Sequence, residues 1–205
     1  MKQPARKPKL LRVILWTLAI AVAAILLDYA KWEFVDHRLV TIQDGAMFQS
    51  AAIPAEKIAD VMQQNGIRTV FDLRDSEHEL IAKERAAVEK AGLRYVNVPM
   101  SATAPTQEDM QRFLAAMKGT ELPALVHCQH GQNRSVLAAS VWRIEQLGWT
   151  NEQALAATTR MPDDLKFLEG ALGWIRRIGR NSGKGQMLLG YQRTGALDEQ
   201  PKAPK

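Results

Sequence analysis

Ala124-Leu125-Val126-His127-Cys128-Gln129-His130-Gly131-Gln132-Asn133-Arg134-Ser135 is the stretch on which the reading of this chain turns. Its first four residues, entered from Pro123, form a short apolar run of strand character, and Gly131 marks a turn. Asn133–Leu147 then reads as a helix. Val136, Leu137, Val141, Trp142 and Ile144 make it so apolar that it is predicted to lie between layers, and Gly148 ends it.

The same alternation surrounds this unit. Residues 67–73 (IRTVFDL) and 93–98 read as strands, the second stopped by Pro99. Pro54 opens a helix with Ile58, Val61 and Met62 on one face, ended by Asn65-Gly66. Residues 76–91 read as a charged surface helix closed by Gly92. Thr106 caps a helix carrying Met110, Phe113, Leu114 and Met117 at helical spacing. Residues 40–49 read as a hairpin turning at Asp44-Gly45, and two further helices are predicted near 151–160 and 163–179. Trp142 and Trp149 read as packing residues. Strands alternating with helices predict an α/β fold of three layers, with a largely parallel central sheet flanked by helices. Ligands of such sheets bind beyond the carboxyl ends of the strands, which directs attention to the turn after His127.

That turn holds the only cysteine of the chain, five residues before an arginine that a hydroxyl residue follows. Successive backbone amides in a tight loop make an anion nest, and the start of a helix adds partial positive charge. Gly131 permits the backbone conformation that such a loop needs. Arg134 can grip two phosphate oxygens through its planar fork. The same field favours the Cys128 thiolate, which is poised for in-line attack on a bound phosphoryl group and a covalent cysteinyl-phosphate. Ser135 can donate a hydrogen bond to the sulfur or assist hydrolysis of that intermediate. The bland reading of Cys128 is a small buried hydrophobe.

His-Cys followed by five residues and Arg-Ser, after a strand, resembles the signature loop of cysteine-dependent protein tyrosine and dual-specificity phosphatases. Residues 44–50 (DGAMFQS) and 67–74 (IRTVFDLR) look like segments of the small bacterial dual-specificity-like enzymes, and the resemblance covers roughly residues 40–175. It implies that Cys128 is the nucleophile, and that Arg134 and the loop from Gln129 through His130, Gly131, Gln132 and Asn133 bind phosphate. His127 is expected to order the loop. Such enzymes protonate the leaving oxygen with an Asp on a loop before the nucleophile strand, but residues 99–105 (PMSATAP) contain no carboxylate. Asp109, with Glu108, is the nearest candidate acid, although Thr106 and Asp109 also have capping-box spacing. Asp72, Asp75 and His130 are further candidates. Without an evident acid the enzyme is expected to favour aryl over alkyl phosphates, whose leaving groups need a proton more. Arg74 is expected either to reach the site or to pair with Glu77 or Glu79.

Composition bounds the alternatives. A single Cys excludes an intrachain disulfide framework, four scattered His offer no metal-ligand cluster, and no cofactor is implied. The net charge of +5 belongs to the N-terminus: without Lys2, Arg6, Lys7, Lys9 and Arg12 the chain carries 22 basic and 22 acidic residues, so no nucleic-acid partner is expected. Residues 1–12 are a basic tail facing the cytoplasm. Residues 13–30 read as a single transmembrane anchor, with a cleaved signal peptide ending near Ala21-Val22-Ala23 as the alternative. Trp16, Tyr29 and Trp32 are candidate interface anchors. Residues 38–180 would then form a phosphatase-like catalytic domain in the periplasm, held at the inner membrane or secreted. A mobile tail is expected from 181 to 205. The substrates expected are a phosphorylated protein or an inositol or lipid phosphate. A phosphate-binding module without turnover and a rhodanese-like sulfurtransferase are the competing functions.

Overall fold

Short runs of β-branched and aromatic residues, each broken by Gly, Pro or Asn, give this chain strands of four or five residues. In the computed structural model, which describes residues 9–158, 162, 165 and 178–200, they assemble into one five-stranded sheet. The elements are α1 (Lys9–Phe34), β1 (Val40–Gln43), β2 (Met47–Ala51), α2 (Ala55–Gln64), β3 (Thr69–Asp72), α3 (His78–Lys90), β4 (Arg94–Asn97), α4 (Gln107–Met117), β5 (Ala124–Cys128), α5 (Arg134–Leu147), α6 (Asn151–Ala156) and α7 (Gly183–Leu189). The sheet order is β1-β2-β5-β3-β4. Only the β1–β2 hairpin is antiparallel; β2–β5, β5–β3 and β3–β4 are parallel, with Ala51 opposite Cys128 and Asp72 opposite His127.

Every residue of the central strands β3 and β5 is buried, as expected of parallel strands covered on both faces. Strand alternation sorts their side chains into two cores. Phe48, Val70, Tyr95 and Leu125 meet Ile58 and Met62 of α2 and Ile81 and Val88 of α3. Met47, Phe71, Val126 and Cys128 face the opposite layer, with Phe113 of α4, Trp142 of α5, Leu155 of α6 and Leu188 of α7. The three layers follow from that alternation.

Two expectations need correcting. The segment after Asn181 packs onto the domain: Ser182 caps α7, and Leu188, Tyr191 and Leu197 are buried. Its anchor is Glu145 of α5, whose Oε1 accepts from Tyr191 Oη at 2.6 Å and from the Thr194 amide at 2.7 Å. Trp32 is buried against the domain and donates to the Leu39 carbonyl at 2.8 Å. It ties the end of α1 to the fold rather than standing as an interface anchor. Trp142 is fully buried, and Trp149 lies beneath the Arg143 guanidinium. The predicted helix at 163–179, with its Arg176-Arg177 pair, lies largely outside the described residues.

Candidate active site

β5 delivers Cys128 to the carboxyl end of the sheet, where the loop 129–133 turns directly into α5. Asn133 makes no side-chain cap, so the first amides of α5 are not consumed by one. Gly131 has φ +60, and a Cβ there would lie 2.6 Å from the Ala51 nitrogen and 2.9 Å from the Ser50 carbonyl carbon. Left-handed backbone and close approach to β2 together require glycine. The Ala52 amide donates to the Gln129 carbonyl at 3.3 Å, fastening the loop from the other side.

Cys128 is almost fully buried. Burial opposes ionisation of the thiol, but the Ser135 hydroxyl and amide, the Arg134 guanidinium and the Gly131 amide outweigh it. The sulfur is therefore held below the ordinary cysteine value. Ser135 Oγ lies 3.3 Å from the sulfur. Gln49 Nε2 donates to that hydroxyl at 3.0 Å and to the Gly131 carbonyl at 3.2 Å. Because Gln49 occupies a lone pair of the hydroxyl, the Ser135 proton is free to point at the sulfur, with the Ser50 carbonyl, at 3.4 Å, as its other acceptor.

Arg134 is buried and held by the segments that follow two strands, β3 and β4. Its Nη1 donates to the Leu73 carbonyl at 3.1 Å, the Met100 carbonyl at 3.1 Å and Asp75 Oδ1 at 2.7 Å. Asp75 remains partly exposed at the rim. Asp109 is engaged elsewhere. Its Oδ2 accepts from the Thr106 amide at 2.7 Å, its amide donates to Thr106 Oγ1 at 3.2 Å, and its Oδ1 pairs with Arg112. That is a complete capping box with an ion pair, so both carboxylate oxygens serve α4, and this geometry argues against Asp109 as the acid.

His127 points to the other face of the sheet, into a buried ionic cluster beneath the loop. Its Nε2 lies 2.7 Å from Glu84 Oε1 and 3.9 Å from Asp72 Oδ1. Arg74 is buried with them. It does not pair with Glu77 or Glu79; its Nη2 is 2.7 Å from Asp72 Oδ2 and also pairs with Glu84, and Tyr95 donates to Asp72. Burial disfavours the charged imidazole, but Glu84 and Asp72 outweigh burial and Arg74, and raise its pKa. Asp72, opposed by burial but favoured by His127, Arg74 and Tyr95, stays below the usual carboxylate range, which suits an acceptor and not a proton donor. Asp72, Glu84 and His127 come close enough together to hold a metal ion, but the Arg74 guanidinium already sits among them as counter-charge.

Three neighbours of the loop carry no sequence signal for that place. Arg38, just after α1, donates to the His130 carbonyl; the Gln132 side chain faces the same guanidinium and, with its amide turned so that the oxygen meets these donors, accepts from it at 2.9 and 2.7 Å. Lys184, on α7, donates to the Ala102 carbonyl at 3.0 Å and lies near enough to interact with Arg134 and Cys128. Gln49 stands in β2. Each is far from Cys128 along the chain, and no spacing rule connects them.

Comparison with known proteins agrees with this geometry. The chain is 28% identical over 116 residues to the dual specificity protein phosphatase TpbA of Pseudomonas aeruginosa, a match covering 56% of this chain and 50% of that protein. It thus spans about half the length of the curated TpbA relatives. The crystal structure of P. aeruginosa TpbA superposes with a TM-score of 0.52 at 23% identity, covering 75% of this chain and 90% of that one. The core catalytic domain of the PP-IP phosphatase SIW14 from S. cerevisiae superposes with a TM-score of 0.54 at 15% identity, covering 79% and 87%. At these identities the two structures speak for the fold, which is that of phosphatases. The family model described as the DSP-PTPase phosphatase fused to NAD+ kinase matches residues 26–170, well over half of the sequence, and to that family the chain belongs.

Proposed function

We propose that the chain is a phosphatase that hydrolyses phosphomonoesters through a cysteinyl-phosphate on Cys128. The observation that carries this reading is the sulfur itself, lowered in pKa at the mouth of an amide-lined loop, beside a buried arginine. The loop amides from Gln129 to Arg134 and the fork of Arg134 bind the phosphate oxygens. The thiolate attacks phosphorus in line; the sulfur–phosphorus bond forms as the bond to the leaving oxygen breaks. The leaving oxygen takes its proton through Asp75 at the exposed rim: the phosphoryl oxygens displace this carboxylate from Arg134, and it takes up a proton from solvent and passes it on. Water then attacks phosphorus, inorganic phosphate leaves, and the electron pair returns to sulfur, where Ser135 steadies the thiolate. Residues 13–30, inside the exposed apolar helix α1, anchor the chain in a bilayer, with the domain on the side opposite the basic N-terminus, the periplasm.

Phosphotyrosine is a candidate substrate, since P. aeruginosa TpbA has been crystallised with it. Rapid-quench labelling with radioactive phosphomonoester is expected to trap phosphate on Cys128, and Cys128→Ser to abolish both label and turnover. Turnover surviving in Cys128→Ser overturns the reading. Asp75→Asn is expected to slow alkyl phosphates by about 10²–10⁴-fold and phenyl phosphates with good leaving groups far less. Equal losses on both would remove Asp75 from the role of acid.

A further inference from the structure

The apolar helix does not end at a distance from the site. Fifteen uncharged residues, Val13 to Leu27, are followed by one more stretch of the same helix, Asp28–Phe34, and the chain then turns back on itself. His37 and Arg38 take consecutive left-handed conformations, φ +52 and +55, that side chains rarely adopt. The turn is held because the Ala51 amide donates to the His37 carbonyl at 2.8 Å and Trp32 donates to the Leu39 carbonyl. It brings Arg38 back to Glu33, whose Oε2 accepts from Nε at 2.8 Å, while the same guanidinium holds the His130 carbonyl and the Gln132 side chain. One arginine thus rivets the end of α1 to the rim of the phosphate loop.

This tie fixes a height. Seven residue steps of helix lead from Leu27 to Phe34, a rise of about 10 Å. The headgroup layer on each side of the roughly 30 Å hydrocarbon core is about 5–8 Å deep. The rim of the site therefore stands at the level where headgroups end, without a linker that could lift it away. Phe34 and Val35, exposed beside the rivet, suit such an interface. Arg38, Arg134 and Lys184 place three cations around the loop. A cleft of about 400 Å³, lined in part by Ile53, Leu80, Lys83 and Gln129, opens beside it. Gln129 has a buried amide oxygen with no hydrogen-bond partner, an acceptor suited to a hydroxyl next to the phosphate.

From this juxtaposition we infer that the substrate is a lipid-borne phosphomonoester, taken from the bilayer that α1 spans. The inference rests on the phosphatase and anchor readings above. Its test is to lift the domain. A seven-residue helical insert rich in Glu and Lys, placed between Ala30 and Lys31 and so beyond the apolar segment, raises the domain by about 10 Å and turns it by only about 20°, leaving the Arg38 contacts intact. The full chain, with and without the insert, is reconstituted in phosphatidylcholine vesicles containing phosphatidic acid, and soluble p-nitrophenyl phosphate is assayed in parallel. The insert is expected to lower release of phosphate from the lipid by on the order of tenfold or more while aryl phosphate turnover stays unchanged. Equal lipid turnover by both chains overturns the inference. So does no lipid turnover while aryl phosphate is consumed, or a vesicle-anchored phosphotyrosyl peptide that is hydrolysed faster than the lipid. Failure of the native chain to hydrolyse aryl phosphate, or to float with the vesicles, instead brings down the phosphatase or the anchor reading beneath it.

Discussion

Ionisation of one thiol in a buried place is the central problem at the scale of single residues. Desolvation acts against it, and only directed hydrogen bonds and a nearby cation reverse the balance. Ser135 is the largest of these favourable contributors, through both its hydroxyl and its amide, and only the hydroxyl can be removed by mutation. The rate of Cys128 alkylation by iodoacetamide is expected to rise with pH at a midpoint below that of free cysteine. Ser135→Ala is expected to move that midpoint upward and slow turnover near neutrality. An unmoved midpoint would show that the hydroxyl does not stabilise the thiolate. Cys128 and Arg134 are legible in the sequence because one loop carries both at fixed spacing. Asp75 is not, because it reaches Arg134 from the end of another strand.

At the scale of elements, the ionic cluster of Asp72, Arg74, Glu84, Tyr95 and His127 joins β3, α3, β4 and β5 directly under the loop. Its two carboxylates are balanced by Arg74 and by His127 in its protonated form. The folded-state pKa of His127 is raised, so its contribution to stability is fully present below the unfolded imidazole value of about 6.5 and is lost as pH rises through the folded value. Urea midpoints of the native chain are expected to fall as pH rises above the unfolded imidazole value of about 6.5, and His127→Gln is expected to remove that decline while lowering stability at acid pH. Parallel pH profiles of the two proteins would refute the coupling. Adjacency to Cys128 along the chain points His127 at the loop. Strand alternation turns it to the opposite face, where Glu84, contributed by a helix that looked like solvated surface, awaits it.

Across the whole molecule, the chain closes on itself through its last described residues. Apart from Met187-Leu188-Leu189, apolar residues are sparse beyond Asn181, and the segment reads as a Gly- and Lys-rich tail. Yet Leu188, Tyr191 and Leu197 are all buried in the core that α5 and α6 share, Glu145 accepts from the Thr194 amide, and the Asn151 side chain donates to the Leu189 and Tyr191 carbonyls. Full burial of one large apolar side chain contributes about 1.5–3 kcal/mol, so deleting residues 181–205 is expected to cost about 4 kcal/mol or more. A urea midpoint unchanged by the deletion would return the segment to the status of a tail. The same segment brings Lys184 to the site, so the truncated chain also tests whether that end of the molecule belongs to the catalytic unit.

The layered α/β architecture, the strand–loop–helix that bears Cys128 and Arg134, and the apolar helix ahead of the domain are all written in the order of the residues. Hydrophobic period, turn residues and a nine-residue motif are local properties, and local properties are readable along a chain. Tertiary structure alone decided which carboxylate stands by Arg134, which face His127 serves, and how the helix end is bound to the phosphate loop. Those contacts join residues 43 to 92 positions apart. Their energy depends on burial and direction, and neither exists until the sheet has brought the strand ends together.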